Sequence, residues 1–242
     1  MDMNYLREIR VTALPEDAYW AELPVVRQIA RDGGLKFRKP VTFFVGENGT
    51  GKSTLLEAIA VHMGFNAEGG SREFFFSTRD SHSDLHEYLR SVRFLPPKDG
   101  FFLRAESFYN TATYLEQNSS MQRYGGQSLH SQSHGESFLS LVMNRFAGRG
   151  LYLLDEPEAA LSPQRLLTLL ICIDRLVKKD SQFLIATHSP ILSAYPGAEI
   201  LEFSEEGFRP VEYKDTANYQ ITREFLNHPE KMLAMLLEGE EE

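Results

Sequence analysis

The residue types with the greatest chemical reach in this chain of 242 residues fall in two short clusters. The first is Gly46-Glu47-Asn48-Gly49-Thr50-Gly51-Lys52-Ser53, followed by Thr54. Its spacing, G-x-x-x-x-G-K-[ST], lies between an apolar run, VTFFV, and a helix-forming run, STLLEAIAVHM, the strand and helix that a phosphate cradle requires. Glycines let the chain curl until successive N–H groups point inward at phosphate oxygens, and the positive end of the helix dipole adds to them. In such a loop Lys52 reaches the terminal phosphates and the Ser53 hydroxyl ligates magnesium. A glycine-rich turn could match by chance, but the flanking strand and helix weigh heavily against that. The second cluster is Asp155-Glu156, which ends the apolar run Leu151-Tyr152-Leu153-Leu154. Strand C-termini in a parallel sheet face the ligand crevice. There Asp155 suits a magnesium ion, and Glu156 suits a base that orients and deprotonates an attacking water. Carboxylates also cap strands with no chemical role; behind four apolar residues, and with a phosphate loop in the same chain, the chemical reading is stronger.

These groups need rigid elements to hold them. Val41–Val45, Leu151–Leu154, Phe183–Ala186 and Ile200–Phe203 read as strands buried on both faces, because polar alternation is missing. Between two of them, Ser162 caps a helix, Pro163 fits its first turn, and Leu166, Leu169, Leu170, Ile173, Leu176 and Val177 recur at helical spacing. Strand, helix, strand implies a right-handed parallel crossover. The expected class is α/β: a mostly parallel sheet flanked by helices, with Tyr5–Thr12 in an antiparallel edge layer. Phe101–Arg104 reads as a further strand, Glu106–Gln117 and Glu136–Ala147 as helices, and about 218–237 as one or two amphipathic helices. Asn118–His134, polar and rich in Ser, Gln and Gly, reads as a loop. With no internal repeat and no clear linker, one domain over 1–242 is expected, with a helical lobe inserted at about 78–147.

Composition narrows the function. A net charge of −9 disfavours indiscriminate nucleic-acid binding; a small basic cluster, Lys36, Arg38 and Lys39, reads as a solvated loop. No apolar run reaches the roughly 20 residues that span a bilayer, so no membrane insertion is expected. The single cysteine, Cys172, lies in an apolar run. It forms no internal disulfide, fits a reducing cytoplasm, and reads as a core residue.

With these residues in view, the chain resembles the ABC ATPase superfamily, most closely the small soluble ATPases of the RecF, SMC and OLD branch. Leu154-Asp155-Glu156-Pro157-Glu158 resembles that branch's Walker B strand with its DEPE ending, and Thr187-His188-Ser189-Pro190 its switch histidine. Ser133-His134-Gly135-Glu136 is similar to the L-S-G-G-Q signature, with Gln132 for Leu, His134 for the first Gly and Glu136 for Gln. Ala159-Ala160-Leu161-Ser162 is similar to the D-loop, and Glu106 stands near the place of the Q-loop glutamine. The resemblance implies a P-loop ABC ATPase head that binds and hydrolyses ATP with magnesium. Gly46 to Thr54 would hold the nucleotide, Ser53 and Asp155 the metal with Glu106 as a further ligand, and Glu156, His188 and Lys52 would serve catalysis. It further implies an ATP-dependent homodimer, in which Ser133, Gly135 and Glu136 meet the ATP of the opposite subunit. Such a dimer would act on a protein or nucleic-acid partner. The alternative, the nucleotide-binding subunit of a membrane permease, would be expected to carry an unmodified signature. Tyr19 and Trp20 either stack on adenine or pack in the core. Long coiled-coil arms are set aside, because no sustained heptads lie between Ser53 and Ser133.

Overall fold

The computed structural model describes residues 4–72, 83–118 and 131–238. Six strands form the main sheet: β3 (Val41–Gly46), β5 (Asp99–Arg104), β6 (Gly150–Asp155), β7 (Gln182–Ala186), β8 (Glu199–Ser204) and β9 (Gly207–Pro210). Their order is β5-β6-β7-β3-β8-β9, parallel throughout except for the β8–β9 hairpin. The apolar runs form these strands because both faces of the sheet are covered. Phe43 points into one core with Phe101, Tyr152, Leu154 and Phe183. Its neighbour Phe44 points into the other, with Leu55, Leu151, Leu153 and Phe203. Period-two alternation therefore sorts one apolar strand between two cores, which is why no polar face is visible in the sequence.

A second, antiparallel sheet of order β2-β1-β4 is built from β1 (Leu6–Val11), β2 (Leu35–Lys36) and β4 (Leu89–Arg93). The expected edge layer at Tyr5–Thr12 is thus present as β1. This sheet shares its core with α1 (Pro24–Arg31) and α2 (Lys52–His62). Trp20 is fully buried in the same core and donates through Nε1 to Asp84 Oδ1 at 2.6 Å. It belongs to the core rather than to an adenine pocket; its neighbour Tyr19 is 65% exposed.

On the other face lie α3 (Phe108–Asn118), α4 (His134–Arg145) and α5 (Pro163–Val177). Ser162 caps α5, its hydroxyl accepting from the Arg165 N–H at 3.4 Å, and Leu166, Leu169, Cys172, Ile173 and Leu176 are its buried stripe. The stretch expected as a helical lobe, about 78–147, is more mixed. Its strands β4 and β5 belong to the two sheets, and among the described residues a short 3-10 turn at Asp84–Tyr88 precedes the first α-helix, which begins at Phe108. The buried run Gly100–Leu103 pairs with β6 on one side, and on the other Phe102 exchanges both of its backbone bonds with Gly70. Residues 119–130, most of the expected loop, lie outside the described residues, as do 78–82. The C-terminal stretch forms α6 (Ala217–Asn227) and α7 (Pro229–Glu238). No helix among the described residues is long and apolar enough to cross a membrane.

Candidate functional site

Parallel register brings the chemical groups to one edge. Phe44 pairs with Ala186, Ala186 with Asp155, and Asp155 with Arg104, so β3, β7, β6 and β5 end side by side. Beyond β3 the chain turns at Gly46 (φ 129°), where a Cβ would stand 2.2 Å from the Phe203 carbonyl oxygen. Gly51 (φ 92°) then caps α2. The loop closes on itself: Thr50 Oγ1 donates to the Glu47 carbonyl at 2.8 Å. Lys52, 4% exposed, donates through Nζ to the carbonyls of Gly46 (2.8 Å) and Glu47 (2.7 Å). Burial lowers the Lys52 pKa, while Glu156, Asp155, Glu158 and Glu47 pull it back toward the charged form.

Ser53, the second residue of α2, donates to Asp155 Oδ1 at 2.8 Å. Burial pushes the Asp155 carboxyl up to about 6; Arg104 and the Ser53 hydroxyl oppose this, and Glu156 and Glu57 add to it. Arg104 Nε lies 3.4 Å from Asp155 Oδ2, and the same guanidinium pairs with Glu57 and, at 3.6 Å, with Glu106. The Glu106 side chain is 87% exposed and pairs with Arg104. Glu156 follows in the left-handed region (φ 49°, ψ 50°), its N–H donating to the Ala186 carbonyl at 2.9 Å. A non-glycine residue there is strained, and such strain concentrates at functional sites. Its Oε1 is 3.6 Å from His188 Nε2.

His188 follows β7 directly. The Glu158 carboxylate accepts from Thr187 Oγ1 (2.8 Å) and from the His188 N–H, and Asn218 Nδ2 donates to the His188 carbonyl at 3.0 Å. Among the described residues, His188 Nε2 and Arg104 Nε are buried side-chain atoms with no hydrogen-bond partner, and both stand beside Asp155 or Glu156. A cavity of about 240 Å³ opens there, lined by Ser53, Arg104, Glu106, His134, Asp155 and Glu156. A larger cleft of about 700 Å³ lies at the opposite strand ends, by Arg38, Lys39 and Glu199. The smaller one brings together a hydroxyl, a buried carboxylate and a histidine: Ser53, Asp155 and His134.

The residues fit a magnesium–triphosphate ligand. The described residues hold no cluster of three His, Cys, Asp or Glu side chains suited to a metal. One hydroxyl and one carboxylate, completed by phosphate oxygens and water, are what magnesium takes. Two buried nitrogens, Arg104 Nε and His188 Nε2, have no hydrogen-bond partner and lie beside Asp155 and Glu156.

The segment Ser133–Glu136 starts α4. Glu136 Oε2 accepts from the Ser133 N–H (3.0 Å) and hydroxyl (2.6 Å), and Arg165 pairs with Glu136 Oε1 at 3.0 Å. Ser133 and Glu136 are exposed, whereas Gly135 is buried so tightly that a Cβ would meet the Ala160 carbonyl at 2.8 Å. The structure thus brings together Lys52, Ser53, Asp155, Glu156 and His188, and leaves Ser133 and Glu136 facing outward. Arg104, Glu57 and Glu158 were not identified from the sequence. Glu158 had a signal in the DEPE run; Arg104 had none, since its role depends on lying beside Asp155 across two parallel strands.

This fold, a mostly parallel sheet with a phosphate loop and a carboxylate-ended strand, has the architecture of P-loop ABC ATPase heads. One family model, an AAA domain, matches residues 26–100, and a second, described as "AAA domain, putative AbiEii toxin, Type IV TA system", matches 125–194. Each of these models matches under a third of the chain, and both are described as AAA domains. No curated protein matches it. Among solved structures, a putative metal-chelate type ABC transporter in an inward-facing conformation aligns at 16% identity and TM-score 0.51, covering 91% of this chain and 88% of that one. At this identity the likeness concerns the fold alone. The SMC head domain from Thermotoga maritima aligns at 13% identity over 86% of this chain and all of that one, with a TM-score of 0.47. CbiO1 from Clostridium perfringens, part of the ABC transporter complex cbiONQ, aligns at 16% identity over 85% and 90%, with a TM-score of 0.45.

Proposed function

We propose that this chain binds ATP with magnesium and hydrolyses it, working as an ATP-gated homodimer on a protein or nucleic-acid partner. The observation that carries the reading is the convergence of Ser53 on Asp155 at 2.8 Å with Glu156 and His188 3.6 Å apart, at the mouth of the phosphate loop. Residues Gly46 to Thr54 cradle the phosphates through backbone N–H groups, and Lys52 leaves its two loop carbonyls for the terminal phosphates. Ser53 and Asp155 would hold the metal, with Glu106, beside Arg104, as a weaker further ligand. When bound, magnesium would supply charge neutralisation at the phosphates. Glu156 orients the attacking water and takes its proton, and His188 Nε2 donates to a γ-phosphate oxygen. Ser133 and Glu136 would meet the nucleotide of a second copy, with the Gly135 N–H at the same helix start; their exposure at the start of α4 supports this. The lone, unpaired Cys172 supports a reducing compartment, the cytoplasm.

The test is Glu156→Gln. It keeps the shape but not the base, so hydrolysis falls by roughly 10²–10⁴-fold while ATP still binds. Because hydrolysis would normally dissolve an ATP-joined dimer, the variant accumulates as a dimer in ATP, read by light scattering after size exclusion. A variant that binds ATP but stays monomeric would remove the dimer, and one that turns over at the wild-type rate would remove Glu156 from catalysis.

A further inference from the structure

Glu158 lies two residues beyond Glu156 in the turn Pro157–Ala160, half-buried, and its two carboxylate oxygens are committed to one neighbouring loop. Oε2 accepts from Thr187 Oγ1 at 2.8 Å, and Oε1 accepts from the His188 backbone N–H. Thr187 Oγ1 in turn accepts from the Ser189 N–H at 3.0 Å, so the carboxylate organises three consecutive residues. The far side of His188 is held as well, its carbonyl accepting from Asn218. The backbone of His188 is therefore fixed at both ends, while its buried Nε2 has no hydrogen-bond partner. Bonds to an ionised acceptor are about twice as strong as neutral ones, and nothing in covalent continuity joins the Glu156 turn to the His188 loop, which lie 30 positions apart.

We infer that Glu158 is a positioning residue: its carboxylate locks His188 to the turn that carries the base, so that the imidazole and Glu156 address the same phosphate as one unit. This rests on the reading of His188 as a γ-phosphate contact. The turn also bears on the signature segment, since the Ala160 carbonyl is the group a Cβ at Gly135 would strike. A second copy pressing on the start of α4 therefore reaches His188 through Ala160 and Glu158. Gln at 158 loses the charge, and it keeps both contacts only if its oxygen faces the His188 N–H and the Thr187 hydroxyl turns from donor to acceptor.

Two readouts test this. In the nucleotide-free chain, Glu158→Ala should speed hydrogen exchange at the His188 amide and shift its resonance, while amides of β6 and β3 stay protected. In steady-state kinetics, Glu158→Ala should lower kcat by about 10²-fold, as misplacing a catalytic group does, with KM for ATP nearly unchanged. The double variant Glu158→Ala/His188→Ala should be no slower than His188→Ala alone, because both changes remove one function. An unchanged His188 amide would overturn the clamp. Losses that multiply in the double variant, or a Glu158→Ala enzyme with wild-type kcat, would overturn the positioning role. If Glu158→Ala does not fold, Glu158→Met, of similar volume and without the carboxylate, carries the same readouts. A wild-type chain without ATP turnover would instead remove the proposed function, and the exchange measurement would still decide the clamp.

Discussion

Gly46→Ala is predicted to fail for a reason that can be worked from the backbone. Gly46 ends β3 in register with Phe203 of β8, and its φ is 129°. An added Cβ would lie 2.2 Å from the Phe203 carbonyl oxygen and 3.1 Å from Phe203 C and N. These are backbone atoms of a paired strand, so no side chain can swing aside. Forcing an L-residue into a positive-φ region costs about 1–2 kcal/mol, and overpacking against an unyielding neighbour about 1–3 kcal/mol. The sum, about 2–5 kcal/mol, is a large part of the roughly 5–15 kcal/mol that holds a domain together. For a chain of this size it lowers Tm by about 4–20 °C. Gly49→Ala is the control: φ there is 81°, but nothing lies within 4 Å of the new Cβ, so only the conformational cost of about 1–2 kcal/mol remains. Urea unfolding of wild type and both variants, at equal m, measures the difference. Equal stability of Gly46→Ala and Gly49→Ala would refute the steric account of why the loop begins with glycine.

Lys52→Ala should weaken ATP binding by about 10–100-fold, from the loss of roughly 1.5–3 kcal/mol of charge-assisted hydrogen bonding; titration with labelled ATP measures it, and wild-type affinity would count against the phosphate loop. Ser133→Arg should leave nucleotide binding to a monomer nearly intact and abolish turnover, and mixing it with Lys52→Ala should restore some activity if one composite site suffices. The absence of rescue would count against sites shared between copies. Asp99 offers a pH test away from the site. Burial would raise its carboxyl, but the Ala147 N–H, the Tyr152 hydroxyl and Arg145 hold it below the ordinary 3.8. Its contribution is therefore present above that value and is lost as pH falls through the lower folded pKa. Asp99→Asn should cost about 3 kcal/mol at pH 7 and progressively less under acid, read by urea unfolding across pH; a deficit independent of pH would exclude the carboxylate as its source.

Much of the site was legible because local rules write it into short stretches. The phosphate loop needs glycines, a lysine and a hydroxyl at fixed spacing between a strand and a helix. The Asp155-Glu156 pair needs only to end an apolar strand. Helix α5 declared itself through Ser162, Pro163 and its leucine stripe. Other elements carried weaker local signals. The β8–β9 hairpin is marked only by the Glu205-Glu206-Gly207 turn. The two strands inside the expected lobe were harder to assign because apolar periodicity does not tell which sheet a strand will join.

By itself the sequence determined which side chains could do chemistry and the elements that carry them, since caps, glycine conformations and periodicity act within a few residues. Only the tertiary structure decided who meets whom. The main sheet runs β5-β6-β7-β3-β8-β9, an order unrelated to chain order, and its register sets Asp155 beside both Ala186 and Arg104. The contacts Ser53–Asp155, Arg104–Glu57, Glu158–His188 and Asn218–His188 all depend on that register or on a loop closing over it. Parallel pairing is fixed by burying two apolar faces at once, a condition on the whole molecule. No window of local sequence contains it.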